Sequence, residues 1–161
     1  GVNLEGKMAY AWLQLQAGAT IQRSRYKEAV TWSETNPDLP AQKKMFRTPD
    51  VYGYITSTFT PVKRLAISFT GTYTGTMLVQ HLAGYIPEDR EEKTPDFFDL
   101  NMKVAYDFPL YKSVTLQVNA GVQNILEAYQ SDFDQGKDRD SKYIYGPGMP
   151  RSYFVGCKIS Y

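Results

Sequence analysis

Four carboxylates, Asp132, Asp134, Asp138 and Asp140, flank Gly136 at spacings that could present oxygen ligands to a hard cation. Acidic side chains at alternate positions around a turn-forming glycine are what a calcium loop uses. Here Lys137 and Arg139 interleave with them, and Lys137 fills the position where an EF-hand needs glycine. No glutamate follows at the spacing of the bidentate ligand. The pattern favours a solvated loop with local Asp–Arg pairing and leaves calcium as the weaker alternative. The run Glu88, Asp89, Glu91, Glu92 reads likewise as wet surface. His81 is the only histidine and Cys157 the only cysteine. That excludes a disulfide framework, thiolate metal sites and paired-histidine zinc motifs. A Ser-His-Asp triad would have His81 as its single possible base, and no nucleophile elbow accompanies it. Cys157 sits between Val155 and Ile159, as a small apolar surface residue would. Neither covalent chemistry nor a cofactor is expected.

These residues hang from a chain of alternating strands. Near the C-terminus Tyr153, Val155, Cys157, Ile159 and Tyr161 fall on every second position, so they share one face of a strand. Over residues 65–77, Leu65, Ile67, Phe69, Tyr73 and Met77 oppose Ala66, Ser68, Thr70, Thr72, Thr74 and Thr76. The alternation recurs at residues 2–10, 13–21, 51–59, 98–108 and 114–123, which makes seven strands and no segment of helical period. The chain is expected to be all-β. A greasy face backed by a small, hydroxylated one suits lipid outside and a wet or protein-filled lumen inside. A soluble sandwich strand with a threonine-rich solvent face gives the same local pattern.

The connections separate these two readings. Short ones are expected near residues 11–12, 60–64 and 108–113, the last two carrying Pro61 and Pro109. Long ones run over residues 30–48, 81–96 and 128–150, rich in Pro, Asp, Glu, Lys and Gly. Short turns on one rim and long loops on the other are the layout of an outer-membrane barrel. Aromatics follow the same frame. Tyr10, Trp12, Phe59, Tyr106, Phe108, Tyr111 and Tyr161 would gather at the short-turn end as an interfacial girdle. Tyr26, Tyr52, Tyr73, Phe97, Phe98 and Tyr153 would populate the other end.

Charge and length narrow the classes further. With 18 basic and 17 acidic residues among 161, no basic excess points to nucleic acid. No apolar run reaches the roughly 18 residues of a membrane helix, which does not bear on barrel strands. Residues 2–10 already alternate and no signal peptide stands at Gly1, so a piece of a longer protein is expected. Single-chain bacterial barrels have even strand counts and an open sheet edge is not tolerated in lipid, so the seven strands are expected to be completed by sequence on the N-terminal side or by other chains.

Several runs resemble a known family. They are Gly121-Val-Gln-Asn124-Ile-Leu, then Tyr129-Gln-Ser-Asp132-Phe-Asp134-Gln-Gly136-Lys-Asp138-Arg-Asp140, then Tyr143-Ile-Tyr145-Gly146-Pro147, with Pro150-Arg151 leading into the last strand. Upstream, Gly71-Thr-Tyr73-Thr-Gly75-Thr-Met77 and Thr94-Pro-Asp-Phe-Phe98-Asp-Leu belong to the same likeness. Together they resemble the C-terminal barrel region of TonB-dependent outer-membrane receptors, particularly those of Bacteroidetes. The resemblance implies that residues 1–161 are the C-terminal part of an antiparallel transmembrane β-barrel of about 22 strands. It also implies an N-terminal plug and a TonB-contacting segment that lie outside these residues. Receptors of this kind import scarce ligands such as ferric siderophores, haem, cobalamin or, in one branch, glycans. Outer-membrane lipid, TonB and the barrel-assembly machinery would be the partners.

Residue roles follow from layout and likeness. Trp32, Tyr52, Tyr85, Phe133, Tyr143 and Tyr145 are the expected ligand-side aromatics. The ending Gly156-x-x-Ile159-x-Tyr161 resembles the assembly signal, although Phe154 stands where that signal usually begins with a polar residue. Gly146, Pro147, Gly148 and Pro150 would make a stiff corner, with proline fixing φ and glycine permitting positive φ. Asn124 would mark the rim. Rival readings are a non-transporting structural or adhesive barrel, a small soluble β-domain binding an apolar ligand, and an outer-membrane enzyme of the lipase kind built on His81.

Overall fold

Alternating residues 3.3 Å apart along a strand present opposite faces, so a sheet that keeps register across many strands sorts its side chains into two surfaces. The computed structural model, which describes residues 1–161, does this over most of its length. The strands are β1 (Val2–Ala9), β2 (Leu13–Ile21), β3 (Arg25–Val30), β4 (Gln42–Lys44), β5 (Val51–Val62), β6 (Leu65–Thr74), β7 (Leu78–His81), β8 (Arg90–Lys93), β9 (Phe97–Tyr111), β10 (Val114–Gln123) and β11 (Ser152–Ser160). Seven of them form one antiparallel sheet in the order β1-β2-β5-β6-β9-β10-β11. The other four pair as two small hairpins, β3 with β4 and β7 with β8. The large sheet is the set expected from alternation. It is open: β1 and β11 are its two edges, and with seven antiparallel strands they run in the same direction.

Register carries each apolar position onto the next strand. Met8, Leu15, Ser57, Phe69, Met102, Val122 and Tyr153 form one row across all seven strands. Leu13, Phe59, Ile67, Val104, Ala120 and Val155 form a parallel row. On the reverse side Ala9, Gln14, Thr58, Ser68, Lys103, Gly121 and Phe154 align. One surface is thus apolar except at Ser57, and the other is polar with a few aromatic rings. No second layer covers the apolar surface: Leu4 is 72 % exposed and Val155 81 %. On the polar surface hydrogen bonds cross between strands, including Tyr54 to Glu5 at 2.7 Å and Gln117 to Asp107 at 2.8 Å.

The short connections are two-residue turns after Tyr10, Val62 and Tyr111, the first as the sequence suggests and the other two tighter. Arg64 (φ 74°) and Lys112 (φ 47°) take the left-handed conformation that such hairpins require. Pro61 and Pro109 lie inside β5 and β9, where the register slips at each strand end, instead of in the turns. A proline that cannot donate to the ladder is accommodated at such irregularities. At this rim Trp12 stacks on Tyr10 (6.3 Å) and meets Phe59 edge-on (5.7 Å), and Tyr106 packs on Phe108 (4.7 Å).

The buried apolar core lies at the opposite end. Met77, Val79 and Tyr143 pack together there, with Tyr145 against them. Met77 is therefore not the last residue of a strand, as its alternation suggested; β6 ends at Thr74 and the Gly75 amide donates to the Val51 carbonyl. Phe97 opens β9 on the polar side and is buried against Tyr145. No helix is long and apolar enough to cross a membrane, which says nothing of strands.

Candidate functional site

The three long connections do not stand apart; polar ties weld them into one cap over the loop end of the sheet. The β7–β8 hairpin is the centre. From it, Asp89 accepts bonds from the Ser33 hydroxyl (2.7 Å) and the Ala83 amide (2.7 Å), while its own amide donates to the Thr35 hydroxyl. Glu91 accepts from the Trp32 indole (2.9 Å) and from Gln42 (2.7 Å). These bonds hold the β3–β4 segment. On the other flank His81 Nε2 lies 3.0 Å from both carboxylate oxygens of Asp134, and the Leu82 amide donates to Asp140. Arg47 closes the ring by donating to the carbonyls of Lys142 and Ile144.

The segment from Asn124 to Pro150 holds little regular structure of its own and depends on side chains to satisfy its backbone. Gln130, 1 % exposed, donates to the Tyr143 carbonyl and accepts from the amides of Tyr145 and Gly146. Asn124 (φ 49°) donates to the carbonyls of Ala128 and Met149 and accepts from the Ala128 amide. It is a rim residue as expected, and it also pins both ends of the loop. Neither role of Gln130 is readable locally, because its partners lie 13 to 16 residues away.

The titration of the cap follows from this bonding. Burial pushes the Asp89 carboxyl up, but the bonds from Ala83, Ser33 and Thr35 outweigh it and hold the group down at about 2. Asp132 is likewise lowered: burial opposes the shift, and the hydroxyls of Tyr145 (2.7 Å) and Tyr143 (3.0 Å) impose it. Burial and the same Asp132 bond push Tyr145 up to about 12 and raise Tyr143 further.

Several expectations are corrected by this geometry. Asp132, Asp134 and Asp140 point into separate hydrogen-bonded arrangements, and no three His, Cys, Asp or Glu side chains converge as metal ligands. The loop is exposed over residues 135–139 as expected, but without Asp–Arg pairs: the Asp134 side chain is almost fully buried, and Arg139 donates to the Gly136 carbonyl. Asp138 alone stays exposed among the four without a side-chain bond. The acidic run is not simply wet surface, since Asp89 is buried and Glu91 is bonded. Gly146 and Gly148 do not take positive φ; a side chain at Gly146 would run into Phe97, whose ring is 2.6 Å from the position of a Cβ.

Of the ligand-side aromatics, Tyr143 is buried on His81 and Tyr145 and Trp32 serve the cap's bonding. Phe133 is half-buried. Tyr52, on the polar face of β5, and Tyr85, at the tip of the β7–β8 hairpin, remain open. Gly156, Ile159 and Tyr161 lie on or beside β11, with Ile159 and Tyr161 exposed on the apolar face. Below the cap, the polar sheet face and residues 147–150 enclose an open recess of about 650 Å³, lined by Asp99, Asn101, Lys103 and Phe154 among others. The His81 ring is sealed in the cap, and no hydroxyl or thiol bonds to it. The arrangement can hold a shape and present polar groups; it offers no nucleophile beside a base.

No protein-family model, curated protein or solved structure matches this chain.

Proposed function

We propose that this chain is part of the wall and mouth of an outer-membrane β-barrel receptor of the TonB-dependent kind, working by binding and gated passage. The observation that carries the proposal is the apolar face, broken only at Ser57, in register over seven strands and covered by nothing, set against a polar face on the reverse. Water would penalise that face heavily, whereas lipid solvates it. The aromatic cluster at the short-turn rim and the cap at the other fit the interfacial girdle and extracellular loops of such barrels. Because β1 and β11 run the same way, they cannot pair antiparallel with each other. Closure in an all-antiparallel barrel needs an odd number of further strands, consistent with roughly a third of a 22-stranded wall.

On this reading the polar face lines the lumen and the cap forms part of the ligand mouth. The imported ligand would be scarce and bulky: a ferric siderophore, haem or cobalamin. TonB would act through a segment outside these residues, and the barrel-assembly machinery would read β11.

Detergent partition tests the wall, and uptake tests the transport. The protein should pellet with outer membranes, resist carbonate and enter only detergent. Uptake of the candidate ligands should then vanish when TonB is removed. Recovery in the aqueous phase as a folded monomer would sink the membrane reading. A membrane-embedded protein with no TonB-dependent uptake would point instead to a structural or adhesive barrel.

A further inference from the structure

At the loop end of β1 and β2 the apolar face stops at Val2 and Ile21, which are partners in register and are 63 % and 64 % exposed. Directly beyond them the chain places Arg23 and Arg25, and β4 brings Lys44 opposite Arg25. These five residues and Asp50 line one open recess of about 610 Å³. Asp50 is engaged by Lys44 at 2.8 Å, whereas Arg23 and Arg25 make no ion pair or side-chain hydrogen bond. An excess of positive charge therefore sits unneutralised where apolar surface ends. Two free guanidiniums are the side chains best suited to hold a phosphate through paired N–H bonds.

Resting on the membrane reading above, we infer that this recess binds the phosphate of a lipid headgroup, with the acyl chains lying down the apolar face past Val2 and Ile21. Free phosphate would use the arginines alone. A lipid uses both halves of the recess, which is why the apolar half selects it. Cation clusters at the edge of a membrane-facing surface bind headgroups by this combination of charge and depth.

The test is native mass spectrometry of the full chain released from detergent micelles, after partition has shown it to be membrane-embedded. The probes are dioleoyl phosphatidic acid and dioleoylglycerol, which share tails and differ in the phosphate, with inorganic phosphate as competitor. Retention of the phosphatidic acid alone, falling about tenfold in R23Q/R25Q, is the expected result. Both arginines are exposed, and circular dichroism of the variant checks that its strands persist. Equal retention of dioleoylglycerol, or undiminished phosphatidic acid on R23Q/R25Q, would overturn the site. Complete displacement by millimolar phosphate would overturn the lipid as its occupant. A chain that partitions into water would instead bring down the membrane reading on which the site rests.

Discussion

Tyr143 lies flat against His81, their ring centroids 3.6 Å apart and their planes 8° from parallel. The same imidazole bonds Asp134, and the same tyrosine bonds Asp132, so one stacked pair joins the β7–β8 hairpin to the last long loop.

His81→Phe keeps the stack and removes the imidazole partner of the buried Asp134 side chain, leaving it the Asp140 amide alone. Removing one hydrogen-bond partner of a buried polar group typically costs about 1–3 kcal/mol. The loss should appear locally, as faster hydrogen exchange at the amides of Leu82 and Asp140, which bond to Asp140 and Asp134. Amides of β9 and β10 should keep their protection. Unchanged exchange at Leu82 and Asp140 would show that the pair does not hold the cap.

Asp89 gives the cap an acid limit. Its folded carboxyl is held at about 2, below the ordinary 3.8, so its contribution is fully present above about pH 4. It is lost as pH falls through 2, when protonation removes the acceptor of the Ser33 and Ala83 bonds. Cap stability should rise between pH 2 and pH 4 in the native chain and stay flatter there in Asp89→Asn. Identical pH profiles for the two, followed by exchange at the Ala83 amide, would contradict the assignment.

Two glycines beneath rings separate side-chain from backbone crowding. A Cβ at Gly18 would come within 2.6 Å of the Tyr54 ring and touch nothing else as closely. At Gly121 it would meet the Phe154 ring at 2.4 Å and the Met102 carbonyl at 2.5 Å. Each alanine substitution should destabilise by about 1–3 kcal/mol. Tyr54→Ala should relieve most of the Gly18→Ala penalty, whereas Phe154→Ala should relieve only part of that at Gly121. Full rescue in both double-mutant cycles would be inconsistent with the register of β10 on β9.

Charge placed on the two sheet faces should have opposite fates. Val118→Arg, on the apolar face of β10, should cost about 2–4 kcal/mol in a bilayer and reduce assembly. Thr70→Lys, on the polar face of β6, should assemble normally. Heat-modified mobility of the two proteins in membranes reads the difference, and equal assembly would count against lipid on the apolar side.

The wall was legible in the sequence and the cap was not. Alternation over eight or more residues located β1, β2, β5, β6, β9, β10 and β11, because a period of two leaves no other way to separate Val114 and Leu116 from Thr115 and Gln117. The strands β3, β4, β7 and β8 have three to six residues each, too few to show a period. The cap's acids misled for a different reason. Asp89 and Ser33 are 56 residues apart and His81 and Asp134 are 53 apart, so nothing beside either acid announces its partner. Prolines drew the turns too wide, since Pro61 and Pro109 mark strand irregularities and not corners.

The separation of the packed core from the sheet has a consequence for how this sequence can drift. Val79 and Tyr143 meet fixed neighbours, so their replacements must match a shape as well as a polarity. Leu4, Val155 and Ile159 meet no side-chain layer at all. If lipid covers that surface, as proposed, volume is free to change while greasiness is not. Two clocks should therefore run in one polypeptide: wide interchange among aliphatic and aromatic residues along the wall, and near fixity in the knot of loops above it.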